Sequence, residues 1–152
     1  MANILIIDDN AIMRKNIWFM LRREKHTIFE AEDGPVGIAI ARKEKIDLVL
    51  LDFMLPYMSG EQVARYLFDH DDLNHIPVIM LTAMNQSELI FNLLKLNVRA
   101  YLLKPVKAET LKERISVVLS DSAPGATKPV ALETEAQALA ETEIVSAAHS
   151  EE

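Results

Sequence analysis

The chain has 152 residues, about one domain's worth, with 50% apolar, 6% aromatic and 26% charged residues, an ordinary composition for a globular protein. The absence of cysteine removes disulfides, thiolate zinc sites and thiol catalysis together, and four scattered histidines leave little for a transition-metal centre. The net charge of −7 is spread as a nearly neutral body and an acidic tail, neither of which offers the basic face that phosphate-backbone binding needs, so no direct contact with nucleic acid is expected.

The N-terminal stretch Met1–Asn10 has no basic region before its apolar run, so it does not read as a secretory signal. No stretch approaches the ~18 apolar residues of a membrane span, and the expected setting is cytoplasmic. Ile4-Leu5-Ile6-Ile7 is the first of several short apolar runs without polar alternation, the pattern of a parallel strand covered on both faces. Asn10 to Lys25 has helical length, with Met13, Ile17, Met20 and Leu21 as its buried stripe. Thr27-Ile28-Phe29-Glu30-Ala31 is less uniformly apolar and fits an edge strand. A second helix is expected over Pro35–Lys45, opened by Asp33-Gly34-Pro35. Leu48-Val49-Leu50-Leu51 and Val78-Ile79-Met80-Leu81 are further buried strands, separated by a helix over Gly60–Asp69. A fourth helical segment, Asn85–Leu96, starts with capping-box spacing between Asn85 and Glu88. The run Ala100-Tyr101-Leu102-Leu103 then stops at Lys104-Pro105, and a fifth helix is expected over Ala108–Leu119. Strand and helix alternate five times, which predicts an α/β fold with a doubly wound parallel sheet.

After Ser120 the composition changes. Residues 1–120 carry 15 bases against 16 acids, whereas residues 121–152 carry seven acids and one base. Asp121–Pro129 is a linker by residue type, and Val130–His149 is rich in Ala, Glu and Thr with a thin apolar stripe. The chain is therefore divided into a domain over residues 1–120 and an acidic tail over residues 121–152, disordered or weakly helical.

Ligands of open α/β sheets bind beyond the carboxyl ends of the strands. The first strand ends there at Asp8-Asp9, the second buried run at Asp52, the third at Thr82 and the last at Lys104. Three carboxylates at one edge repel one another and call for a hard divalent cation with oxygen ligands, for which Mg²⁺ is suited. A carboxylate beside such an ion can attack phosphorus, while an ammonium and a hydroxyl stabilise the transferred group. Each residue alone would read as a cap or turn former; five of them at equivalent strand ends read as a site.

The pieces IIDDN at 6–10, LLDFMLPYMSG at 50–60, VIMLTAM at 78–84 and AYLLKP at 100–105 occur in an order that resembles the receiver domain of bacterial two-component response regulators. The chain is most similar to the single-domain, chemotaxis-type members. The resemblance implies a flavodoxin-like fold with five parallel strands in the order 2-1-3-4-5 and five helices. It implies that Asp52 is the phosphoacceptor, fed by a histidine kinase or a histidine phosphotransfer protein. It assigns Mg²⁺ to Asp8, Asp9, Asp52 and the backbone carbonyl of Met54, with Asp9 the direct ligand and Asp8 acting largely through water. Thr82 and Tyr101 become the switch pair, Lys104 the phosphate-binding lysine, and the Lys104–Pro105 bond is expected to be cis. No enzyme activity is implied beyond Mg²⁺-dependent self-phosphorylation and self-dephosphorylation.

Partner surfaces are expected at two places. Trp18 falls off the buried line of the first helix, between Arg14 and Arg22, where it would dock the phosphodonor or else tuck against the core edge. The fourth helical segment has more apolar residues than one stripe requires. Ile90 and Leu94 would then form a patch, joined to the last strand and last helix, that binds a downstream protein or a second copy of the chain. Alternatively, these residues belong to the core. Two other classes compete. An aspartyl phosphatase of the haloacid-dehalogenase type needs a second acid two residues after its nucleophile, where this chain has Met54, and a cap domain. A receiver-fold scaffold, or a phosphate sink or shuttle, would keep the same site but signal by docking or by removing phosphoryl groups. No helix-turn-helix segment is expected after residue 120.

Overall fold

The computed structural model describes residues 1–83 and 96–121. In chain order the elements are β1 (Asn3–Ile7), α1 (Ala11–Leu21), β2 (Thr27–Ala31), α2 (Gly34–Lys43), β3 (Leu48–Asp52), α3 (Gly60–Asp69), β4 (Val78–Thr82), β5 (Val98–Leu103) and α4 (Ala108–Asp121). The five strands form one parallel sheet in the order β2-β1-β3-β4-β5. The α/β flavodoxin-like architecture expected from the sequence is therefore present. The expected helix over Asn85–Leu96 lies outside the described residues apart from Leu96, which is buried. No helix among the described residues is long and apolar enough to cross a membrane.

The unbroken apolar runs follow from two-sided burial. Every residue of β3 and β4 is buried, as is β1 after Asn3. Successive side chains point to opposite faces, so each run feeds two cores. Leu5, Ile7, Val49, Leu51 and Met80 pack with Ile38, Val63 and Leu67 of α2 and α3. Ile4, Ile6, Leu48, Leu50, Ile79 and Leu81 pack with Ile17 and Leu21 of α1 and with Leu111, Ile115 and Val118 of α4. The edge strand β2 is exposed at Thr27 and Glu30, which accounts for its mixed composition.

Three helix starts are pinned close to the strand ends that precede them. The Asn10 side chain accepts from the Ile12 and Met13 amides, Asp33 accepts from Val36, and Ser59 and Gln62 form a reciprocal capping box. One strand begins earlier than its apolar run indicates. β5 opens at Val98, because Arg99 is the extra residue of an irregularity that pairs Val78 with Val98 and Ile79 with Ala100. Arg99 donates from Nε to Asn97 Oδ1 at 3.0 Å, which lets a charged residue sit within a buried strand.

The β3–α3 connection is closely packed against the end of β3. The Gly60 amide donates to the Phe53 carbonyl at 2.7 Å, and a Cβ at Gly60 would lie 2.4 Å from the Asp52 carbonyl oxygen and 2.6 Å from Phe53 Cα. Within the same loop, Tyr57 has φ 67, the left-handed region, and the Met58 amide donates to Pro56 across it. Its side chain is 86% exposed, so no packing compensates a conformation that costs an L-residue about 1–2 kcal/mol. Gly60→Ala is expected to lower stability by about 1–3 kcal/mol, because backbone rather than a movable side chain must yield. Tyr57→Asn is expected to raise stability by up to about 1 kcal/mol, since asparagine tolerates this region. Urea denaturation of both variants measures the two opposite signs.

Candidate functional site

Four adjacent strands deliver their last residues to one edge of the sheet. Asp8 follows β1, with its amide bonded to the Ala31 carbonyl at 3.1 Å. Asp52 ends β3, and the Phe53 amide beyond it continues the ladder to Leu81 at 2.9 Å. Thr82 ends β4, and its carbonyl accepts from the Lys104 amide at 2.8 Å, immediately after β5. The Lys104–Pro105 peptide is cis.

These positions bring one carboxylate oxygen each from Asp8, Asp9 and Asp52 within 4.8 Å of one another. Asp8 and Asp52 are buried and Asp9 is exposed. Lys104 Nζ bridges the two buried acids, at 3.2 Å from Asp8 Oδ2 and 3.1 Å from Asp52 Oδ1. Asp8 also accepts from the Asn10 amide at 2.9 Å, which orients its second oxygen. Thr82 is fully buried beside the last residues of β3 and β5, to which β4 is paired.

Burial raises the Asp52 carboxyl above the ordinary carboxylate range, and the neighbouring Asp8 charge pushes it the same way. The Lys104 ammonium and the Met54 backbone amide oppose that shift without cancelling it. Lys104 is partly desolvated, which lowers its affinity for a proton, but its two carboxylate partners hold it above the usual lysine value. One ammonium among three carboxylates leaves a local charge of about −2. A donor set made only of oxygens with that charge fits a hard divalent ion such as Mg²⁺.

Tyr101 lies in β5 and is fully buried, so its ring occupies the inward position. Met54 is largely exposed in the loop that follows Asp52. Trp18 is 44% exposed on α1, and its ring meets Phe19 edge-on at 5.5 Å. Arg22 lies over Phe19, with its guanidinium carbon 5.2 Å from that ring's centroid, while Arg14 turns to Glu30 at 3.1 Å. The expected flanking of Trp18 by both arginines is thus replaced by contacts with those neighbours. Ile90 and Leu94 lie outside the described residues.

Arg14, expected only beside Trp18, instead reaches the site. Its Nη1 donates to the Asp8 carbonyl at 2.6 Å while Nε binds Glu30, so it ties α1 and β2 to the residue that begins the acidic pair. The available signal was its place four residues after Asn10 on the first helix. Only the parallel pairing of β1 with β2 places Glu30 within its reach.

A family model described as response regulator receiver domain matches residues 4–116. Protein PilH of Pseudomonas aeruginosa is 38% identical over 120 residues, which cover 79% of this chain and 99% of that protein. The chemotaxis protein CheY-3 of Vibrio cholerae is 33% identical over 116 residues, covering 76% and 89%. A CheY-like response regulator receiver domain protein from Methanospirillum hungatei superposes with a TM-score of 0.74 at 26% identity, covering 80% of this chain and 96% of the other. Fold, sheet-edge chemistry and kinship converge: this chain belongs to the response regulator receiver domain family, the phosphoacceptor modules of two-component signalling.

Proposed function

We propose that residues 1–120 form a receiver whose Asp52 takes a phosphoryl group from a phosphohistidine on a histidine kinase or phosphotransfer protein, with residues 121–152 as an appended acidic tail. The observation that carries this reading is Lys104, whose ammonium lies 3.1 Å from Asp52 and 3.2 Å from Asp8 at the carboxyl edge of the sheet. An Asp52 oxygen attacks phosphorus and the N–P bond of the donor breaks. The bonding pair remains on the imidazole nitrogen, and Asp52 becomes an acyl phosphate. Lys104 leaves its shared position to neutralise the equatorial oxygens, and the Thr82 hydroxyl donates to one of them. Mg²⁺, held by Asp8, Asp9, Asp52 and the Met54 carbonyl, supplies further charge neutralisation when bound. Water later cleaves the P–O bond and regenerates the carboxylate, so the chemistry of this site is self-phosphorylation followed by self-dephosphorylation.

Phosphorylation replaces a monoanion with a bulkier group of charge about −1.5 to −2 and adds acceptor oxygens. The pull on Thr82 and the buried Tyr101 ring would bias the face that includes β5 and α4, which then binds a downstream protein or a second copy. Trp18, with Phe19, is the contact offered to the phosphodonor, because both rings remain about half exposed on α1. The cytoplasm is the compartment where such donors act.

Asp52→Asn is expected to abolish Mg²⁺-dependent, hydroxylamine-sensitive labelling by acetyl phosphate; strong residual labelling would reject Asp52. The same variant should be more stable in metal-free buffer at neutral pH. The folded state binds a proton on Asp52 more readily than the unfolded chain, so stability falls as pH rises from the ordinary carboxylate range through the raised folded value. Above that value the ionised group remains a cost. Lys104 contributes stability that persists through neutral pH and is lost only as pH rises through its elevated value. Removing the Asp52 charge should therefore raise the midpoint of urea titrations near pH 7, and the gain should vanish as pH falls into the ordinary carboxylate range.

Lifetime of the phosphoryl group is a separate expectation. Met54 lies two residues past Asp52 and is 64% exposed, offering a thioether where an amide could position water. Met84, two residues past Thr82 as Met54 is past Asp52, lies outside the described residues. Met54→Asn is expected to shorten the lifetime of labelled protein by several-fold, well below the roughly 10²–10⁴-fold of a general base, because an amide orients water without taking its proton. The decay of label after donor removal measures it.

A further inference from the structure

The face formed by α1 and α4 carries a groove that the phosphoacceptor chemistry leaves unused. It is a cavity of about 380 Å³ lined by Phe19, Met20, Arg22, Arg23, Ala108 and Lys112. Three apolar side chains and three cations line it, with no carboxylate. Lys112 is shared with Glu24 at 3.5 Å, and Arg22 holds the Phe19 carbonyl at 2.8 Å. Arg23 is exposed and has no acidic partner among the described residues. A second cavity, of about 350 Å³, also has Lys112 in its lining and extends to Leu119 and Ser120 near the end of α4. The two hollows share Lys112, and the second also has Glu24, the partner of Lys112, in its lining.

The chain beyond α4 has the complementary charge. Residues 122–152 contain six glutamates and one lysine, with Leu132 and Leu139 interspersed. Lys112 lies about 13 Å back along the helix from Asp121, and Ala108 about 20 Å. Asp121–Pro129 can span up to about 30 Å when extended. Glu133 and Glu135 can therefore reach Arg22 and Arg23, and Leu132 can reach Phe19 and Met20. A tether of this length holds the segment at a local concentration in the millimolar range, so a contact of weak intrinsic affinity is populated.

We propose that the acidic segment Leu132–Glu143 docks in cis into the α1–α4 groove, with its glutamates on Arg22, Arg23 and Lys112. The contact stands on groove, charge and tether alone. Its consequence, that the tail screens Trp18 and Phe19 from the phosphodonor, rests on the docking role proposed for α1 above.

The chain has no cysteine and a single tryptophan, which makes the test direct. In the full-length protein, spin labels are placed through Asn16→Cys on the exposed side of α1 and Gln137→Cys in the tail, and the distance between them is measured. The contact predicts a short, narrow distance distribution that does not change on dilution. It should broaden in 1 M NaCl, where the Debye length is about 3 Å, and in the Arg22→Glu/Arg23→Glu variant. A tail variant with Glu133, Glu135, Glu141 and Glu143 changed to Gln carries the same prediction without touching the folded core, should the arginine variant lose its fold. In that tail variant the acrylamide quenching constant of Trp18 should rise about twofold. A broad distribution that is indifferent to salt and to both variants would overturn the proposal. So would a short distance that appears only at high protein concentration, which assigns the groove to a second copy.

Discussion

The repulsion among the carboxylates at the sheet edge is the constraint on which the rest of this structure depends. Two unit charges about 4 Å apart interact with about 4 kcal/mol at the effective dielectric of a protein surface, a large share of a domain's stability. Asp8 and Asp52 are both buried, and Asp9 adds a third oxygen within 4.8 Å. A single ammonium, Lys104, bridges the buried pair. Its residue arrives 52 positions after Asp52 in the chain, so only the complete sheet assembles the site. Parallel pairing of β1, β3, β4 and β5 is therefore both the source of the clash and the means of its partial relief.

The incomplete relief is what makes the site chemically useful. Asp52 remains harder to ionise than an ordinary carboxylate even with Lys104 at 3.1 Å, because burial and Asp8 outweigh the ammonium. A fully neutralised pocket would have no reason to take up a divalent cation or a phosphoryl group. A pocket without Lys104 would have no internal cation to pass to the incoming oxygens. On the proposed reading, Lys104 serves the two states in turn, first as partner of the acids and then as partner of the phosphoryl group. Thr82 and Tyr101 are fully buried in β4 and β5, and under that reading a change in charge at Asp52 would act on these packed side chains rather than on solvent.

Most of this was legible in the sequence because the physics is local or periodic. Unbroken runs such as Leu48–Leu51 announce two-sided burial, and the residue ending each run then falls at the same edge by topology. The residue types at those ends, three acids, a hydroxyl and an ammonium, carried the chemistry without any coordinates. What escaped was long-range or contextual. The bulge at Arg99 could not be seen, because a charge inside an apolar stretch reads as its end. Arg14 reads as a solvated helix residue until β2 brings Glu30 beside it. Arg22 has rings at positions 18 and 19 to choose between, and spacing alone favoured the wrong one. The left-handed Tyr57 has no pattern at all, since turn rules put glycine or asparagine in such a place.

Tyr57 and Gly60 show how the same loop treats two backbone problems in opposite ways. Gly60 exists because its neighbours leave no room: the start of α3 must come within bonding distance of Phe53 to keep Asp52 at the edge of β3. That requirement is met by removing a side chain. At Tyr57 the backbone is equally unusual, yet a large side chain is kept and left almost wholly in solvent. Folding alone gains nothing from it, because glycine or asparagine would relieve the backbone at no loss of packing. Strain retained against stability, three residues from Met54 and five from Asp52, marks the loop as a segment held in place for what it presents rather than for what it buries. The exposed rings of Trp18 and Phe19 on α1 follow the same logic without the strain. The core elements of this chain obey the rules of folding, and the β3–α3 loop departs from them beside the residue that ends β3 among the acids.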